Sequence, residues 1–105
     1  MTKITVRYQG TNEFISLVSE GHAGSARYGE DLVCAGVSAV ILGGINALEE
    51  DHYEIKADEA KGRIELSNLG KMGSHDKIVI ETIVSQLKEI ARDNPKFVTI
   101  SVVDR

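Results

Sequence analysis

The amino-acid sequence predicts a single α+β domain, residues 1–105, in the order β-β-α-β-β-α-β, with mostly antiparallel strands and two helices. Three observations carry this. Alternating apolar and polar residues occur in paired short runs separated by turn residues, from Ile4 to Ser19 and from Tyr53 to Leu66. A longer stretch of helical character follows each pair, first to about Leu48 and then to Asp93. A last alternating run, Phe97 to Val103, ends the pattern. A chain of 105 residues has room for one core.

In the first strand Ile4, Val6 and Tyr8 alternate with Thr5, Arg7 and Gln9, the pattern of a half-buried strand. Gly10-Thr11-Asn12 supplies a hairpin turn. Phe14 to Ser19 reads as the second strand, with Ile15 and Leu17 on one face and Phe14 and Val18 toward the other. Apolar groups on both faces predict a more central position for it than for the first. Glu20 to Gly29 has three glycines and no apolar periodicity, so it is expected to be a loop and a candidate lid.

The first helix is expected from Glu30 or Asp31 to about Leu48, with Asp31 as a candidate cap. It is apolar on nearly every face, which predicts burial on most sides. Its glycines each cost about 1 kcal/mol relative to alanine and predict close approach of a second helix or a sheet. Tyr53, Ile55 and Ala57, then Ile64 and Leu66, form a second hairpin around Asp58 to Gly62. The second helix is expected from about His75 to Asp93. Ile80, Ile83, Val84, Leu87, Ile90 and Ala91 form its stripe, Ser74 or Asp76 its cap, and Asn94-Pro95 its end.

Composition excludes several classes. A net charge of −4 without a run of Lys and Arg argues against nucleic acid as a direct partner. Leu32 to Leu48 is uncharged, but it falls short of the ~20 residues of a membrane span and is flanked by acids. The lone cysteine excludes an internal disulfide, and the chain starts on a strand pattern rather than a signal peptide. The expected setting is reducing and cytoplasmic, away from membranes.

The chemistry concentrates between Gly21 and Ser38. The only cysteine, Cys34, falls in the first turn of the first helix, twelve residues after a histidine set in Gly21-His22-Ala23-Gly24. A helix N-terminus carries about half a positive charge and unpaired N–H groups, which stabilise a thiolate and can hold an oxyanion. A nearby imidazole can take the thiol proton. Each residue also has a plain structural reading. A free cysteine usually packs as a small hydrophobe. His22 reads equally as an exposed loop residue. Asp31 either caps the helix or orients His22. Ser38, one turn past Cys34, either bonds a preceding carbonyl or supports the site. His52 and His75 start elements and read as structural. One cysteine with scattered histidines lacks metal-ligand spacing, and no cofactor is expected.

Gly21-His22-Ala23-Gly24, Tyr28-Gly29 and Asp31-Leu32-Val33-Cys34-Ala35-Gly36-Val37-Ser38 resemble the signature of the ribosomal-processing cysteine protease family, Prp. No departure occurs at His22, Asp31, Cys34 or Ser38. The resemblance implies an α/β sandwich that often dimerises. It implies a cytoplasmic cysteine endopeptidase with a Cys34–His22 dyad, and with Gly21, Asp31 and Ser38 as auxiliary or substrate-binding residues. It also implies a substrate, the N-terminal extension of the L-twenty-seven protein of the large ribosomal subunit. The alternatives are a non-catalytic, ribosome-associated peptide-binding module and a thiol-dependent redox or acyl-transfer protein. The lack of a resolving cysteine argues against a disulfide-exchange version of the last.

Overall fold

The computed structural model describes residues 1–10, 13–22 and 31–104. The strands are β1 (Thr2–Gln9), β2 (Glu13–Glu20), β3 (Tyr53–Asp58), β4 (Arg63–Asn68) and β5 (Val98–Asp104). The helices are α1 (Leu32–Asn46) and α2 (Ser74–Asp93). The order of elements is the expected one, and boundaries shift by one or two residues. The strands form one sheet in the order β3-β4-β2-β1-β5. Among the described residues only the β1–β5 pair is parallel. β2 is the middle strand, as its two apolar faces suggest.

One core lies between one face of the sheet and the two helices. Ile4, Val6, Leu17, Leu66 and Val98 from the sheet meet Val37 and Ile41 of α1 and Ile80, Ile83, Val84 and Leu87 of α2. Each fully buried side chain of this kind contributes about 1.5–3 kcal/mol.

The pleat of β2 departs from the expected alternation. Arg7 pairs with Ser16 but Tyr8 pairs with Phe14, so Ile15 is an extra residue, a β-bulge. The bulge turns Phe14 into the core beside Leu17 and pushes Ile15 to the surface. Phe14 then meets Tyr8 edge-on, with ring centroids 6.0 Å apart.

α1 is less buried than its composition suggests. Only Val37 and Ile41 are buried, while Leu32 and Leu42 are exposed. In a two-layer sandwich one side of each helix has nothing above it. The glycines of α1 answer to side chains rather than to another backbone. A Cβ at Gly44 would overlap the Ile83 side chain of α2, whereas one at Gly43 would have nothing within 4 Å among the described residues.

α2 begins without a side-chain cap, at Gly73. Neither Ser74 nor Asp76 caps it. Asp76 is fully buried and accepts the Glu49 N–H at 2.9 Å, the Glu50 N–H at 3.1 Å and the Tyr53 hydroxyl at 2.7 Å. It thereby ties the α1–β3 connection to the start of α2. Burial pushes this carboxyl up, but the three hydrogen bonds outweigh it and hold the group below the ordinary carboxylate range. His75 Nε2 donates to the Ala47 carbonyl at 2.9 Å, and His52 pairs with Glu50 at 2.7 Å. Both histidines are structural here, as expected.

Two outcomes follow. Phe14→Ala is expected to cost about 3–5 kcal/mol and Ile15→Ala about 0.5 kcal/mol, read from urea midpoints. The reverse order would mean regular pleating. Because the folded pKa of Asp76 is depressed, its stabilisation is complete above the unfolded value of about 4 and fades as pH falls through the folded one. Unfolding free energy measured from pH 7 downward should therefore fall less steeply in Asp76→Asn than in the wild type.

Candidate active site

The site forms where β2 ends, α1 begins and the β3–β4 hairpin turns. A cavity of about 440 Å³ lies there. Cys34, Val37, Ser38, Ile41 and Leu42 line it from α1. Their spacing of three, four, seven and eight residues puts all five on one helix face. Thr2, Ser19, Gly21 and His22 line it from β1 and the end of β2, and Ala57, Asp58, Glu59, Gly62, Arg63 and Ile64 from the hairpin. Of the residues singled out in the sequence, Gly21, His22, Cys34 and Ser38 therefore share one cavity.

Asp31 serves as the N-cap of α1. Its side chain accepts the Cys34 N–H at 2.9 Å, and it is nearly buried. Cys34 is thus the third residue of the helix, half-buried, with Sγ in the field of the helix N-terminus. Its own N–H is engaged by the cap. The Cys34 N–H is therefore not among the helix N-terminal groups open to an oxyanion. The candidate lid, expected from Glu20 to Gly29, lies outside the described residues from position 23 onward. Glu20, expected in that loop, is the last residue of β2.

Gly21 sits at φ +90°, a conformation few L-residues adopt, and a Cβ there would overlap the Met1 carbonyl oxygen. Its own carbonyl accepts from the Thr2 hydroxyl at 3.2 Å. The glycine lets the chain leave β2 tight against β1 and turn His22 toward the cavity. Arg63 bridges Glu20 at 3.5 Å and Glu65 at 3.2 Å, joining the rim of the hairpin to the end of β2.

Sequence reasoning did not assign Thr2, Ser19, Asp58, Glu59, Gly62 or Arg63 to the site. Asp58 to Gly62 reads locally as a turn, and no local signal says which loop it faces. Among the described residues, no group of three or more His, Cys, Asp or Glu side chains is arranged to hold a metal ion. No described helix is long and apolar enough to cross a membrane.

Comparisons with known proteins agree with this architecture. A family model, cysteine protease Prp, matches residues 1–99. The chain is similar to the ribosomal processing cysteine protease Prp of Mycoplasma genitalium, 33% identical over 85 residues, covering 81% of this chain and 85% of the relative. Its counterpart in Staphylococcus aureus is 29% identical over 93 residues, covering 86% of each chain. In structure the chain resembles the essential ribosomal processing protease of S. aureus in complex with a covalently linked product peptide. The TM-score is 0.88 at 23% identity, over 97% of this chain and 99% of that one.

Replacing the cap tests the local geometry. Asp31→Ala should lower stability by about 0.5–2 kcal/mol, read by thermal or urea unfolding.

Proposed function

The chain belongs to the cysteine protease Prp family, and from that premise we propose that Cys34 is its nucleophile and His22 its general base in cutting one peptide bond near the N-terminus of a ribosomal protein. The observation that supports this most is the shared cavity. It brings the only cysteine, at a helix N-terminus, and the glycine-flanked histidine to the same concave surface.

His22 takes the proton from Cys34 Sγ, and the thiolate adds to the scissile carbonyl carbon. The carbonyl electrons move to oxygen, then return as the C–N bond breaks. The imidazolium gives its proton to the departing amine, leaving a thioester on Cys34. Water, deprotonated by His22, adds to the thioester. Loss of the thiolate frees the carboxylic acid, and the thiolate recovers its proton from His22. Ser38 lies one turn along the same helix face and supplies polar support to a bound peptide. The chemistry proposed needs no metal or organic cofactor.

The substrate is the N-terminal extension of the L-twenty-seven protein, removed in the cytoplasm as the large ribosomal subunit matures. The names of the relatives, ribosomal processing proteases, support that direction. The product peptide covalently linked in the S. aureus protein supports a peptide as the substrate here. We further propose a homodimer. The apolar groove between α1 and α2, lined by Ala39, Val40, Gly43, Ile78, Val79 and Ile83, supports it, with Ile78 largely exposed.

A peptide copying the extended N-terminus should be cut at one bond by the wild type. Cys34→Ala should abolish cleavage, and His22→Ala should slow it by at least about 10²-fold, followed by mass spectrometry on folded proteins. Binding without cleavage by the wild type would favour the peptide-binding module, in which Cys34→Ser leaves binding and biological role intact. For the dimer, Ile78→Glu should convert the particle to a monomer in sedimentation analysis. A wild-type monomer would remove that part of the reading.

A further inference from the structure

The β3–β4 hairpin turn makes a contact that its sequence does not announce. Gly62 lies at φ +58°. A Cβ placed on it would stand 2.9 Å from Cε1 and 3.0 Å from Nε2 of the His22 ring, and 3.1 Å from the Gly21 carbonyl oxygen. The ring therefore rests against the face of Gly62 from which a side chain would project.

This contact follows from the sheet register. β2 and β4 pair from Ser16↔Ser67 to Ser19↔Ile64. Continuing that register by two residues sets Gly21 opposite Gly62, both at positive φ. Arg63 holds the intervening step through Glu20 at 3.5 Å. The turn is braced by the Gly62 N–H to the Glu59 carbonyl at 3.1 Å and by the Lys61 N–H to the Asp58 carboxylate at 3.3 Å. The wall beside the imidazole is thus set by backbone pairing.

We infer that Gly62 is a positioning residue for the His22 imidazole, its missing side chain being the space in which the ring is seated. The inference rests on the reading of His22 as general base. Gly62 touches neither the thiol nor the scissile bond in this scheme. It fixes where the imidazole stands when it exchanges a proton with Cys34, and a misplacement near 1 Å can cost about 10²-fold in rate.

Asparagine tolerates the left-handed conformation but carries a Cβ, so Gly62→Asn keeps the turn and fills the seat. Gly10 provides the control. It sits at φ +60° at the opposite end of the sheet with nothing within 4 Å of a Cβ among the described residues, so Gly10→Asn meets the same backbone demand away from the His22 imidazole. Four proteins are compared on the extended-N-terminus peptide: wild type, His22→Ala, Gly62→Asn and Gly10→Asn. Gly62→Asn is expected to lose at least about tenfold in kcat with KM within about twofold. Its His22 Cε1–H NMR resonance should shift, and Gly10→Asn should match the wild type in both. The wild type alone should show a nuclear Overhauser contact between Gly62 Hα and His22 Hε1, a readout that stands even if Gly62→Asn fails to fold. Wild-type kcat in a folded Gly62→Asn, or absence of that contact, overturns the positioning role while the dyad stands. Wild-type activity in His22→Ala overturns the dyad, and the positioning role with it.

Discussion

Two helices have to cover one face of a five-stranded sheet, and most of the molecule follows from that constraint. α1 and α2 lie side by side, and the absence of a side chain at Gly44 admits Ile83 between them. So paired, they close over Ile4, Val6, Leu17, Leu66 and Val98. The edge strand β3 is left partly uncovered, with Ile55 about half exposed although it stands beside the buried Leu66. The space between α1 and the β3–β4 hairpin is the cavity into which Cys34 and Ser38 face. The shortage of helix that would weaken a purely structural domain here leaves a cavity of about 440 Å³.

Within that frame the site is assembled by backbone devices more than by side-chain packing. Asp31 starts α1 and sets the helical turn that presents Cys34. Gly21 brings the chain off β2 beside Met1 and Thr2. Gly62 ends the hairpin turn against the histidine ring. At the other end of α1, Asp76 holds the chain leaving that helix to the start of α2. A buried carboxylate is tolerable there because three donors satisfy it.

Much of the fold was legible in the sequence because strand alternation and helical periodicity are local properties. The hairpins, both helices, the central place of β2 and the structural character of His52 and His75 could all be read from a few neighbouring residues. The face assigned to Phe14 and Ile15 could not. A bulge is fixed by the partner strand, and one extra residue reverses the alternation beyond it. Burial of α1 was also overestimated, because composition counts apolar residues and says nothing of how many layers lie above them.

The sequence by itself determined the ingredients of the site: one thiol in a first helical turn, an aspartate three residues before it, and a histidine between glycines. Spacing along the chain is enough for these, since a helix cap and a first turn are defined within four residues. The tertiary structure alone decided that Asp58, Glu59, Gly62 and Arg63 border the same cavity, and that the hairpin turn lies on His22. Those residues are some forty positions from the histidine, and only the β2–β4 register, set by burial of Leu17 against Leu66, brings them to it.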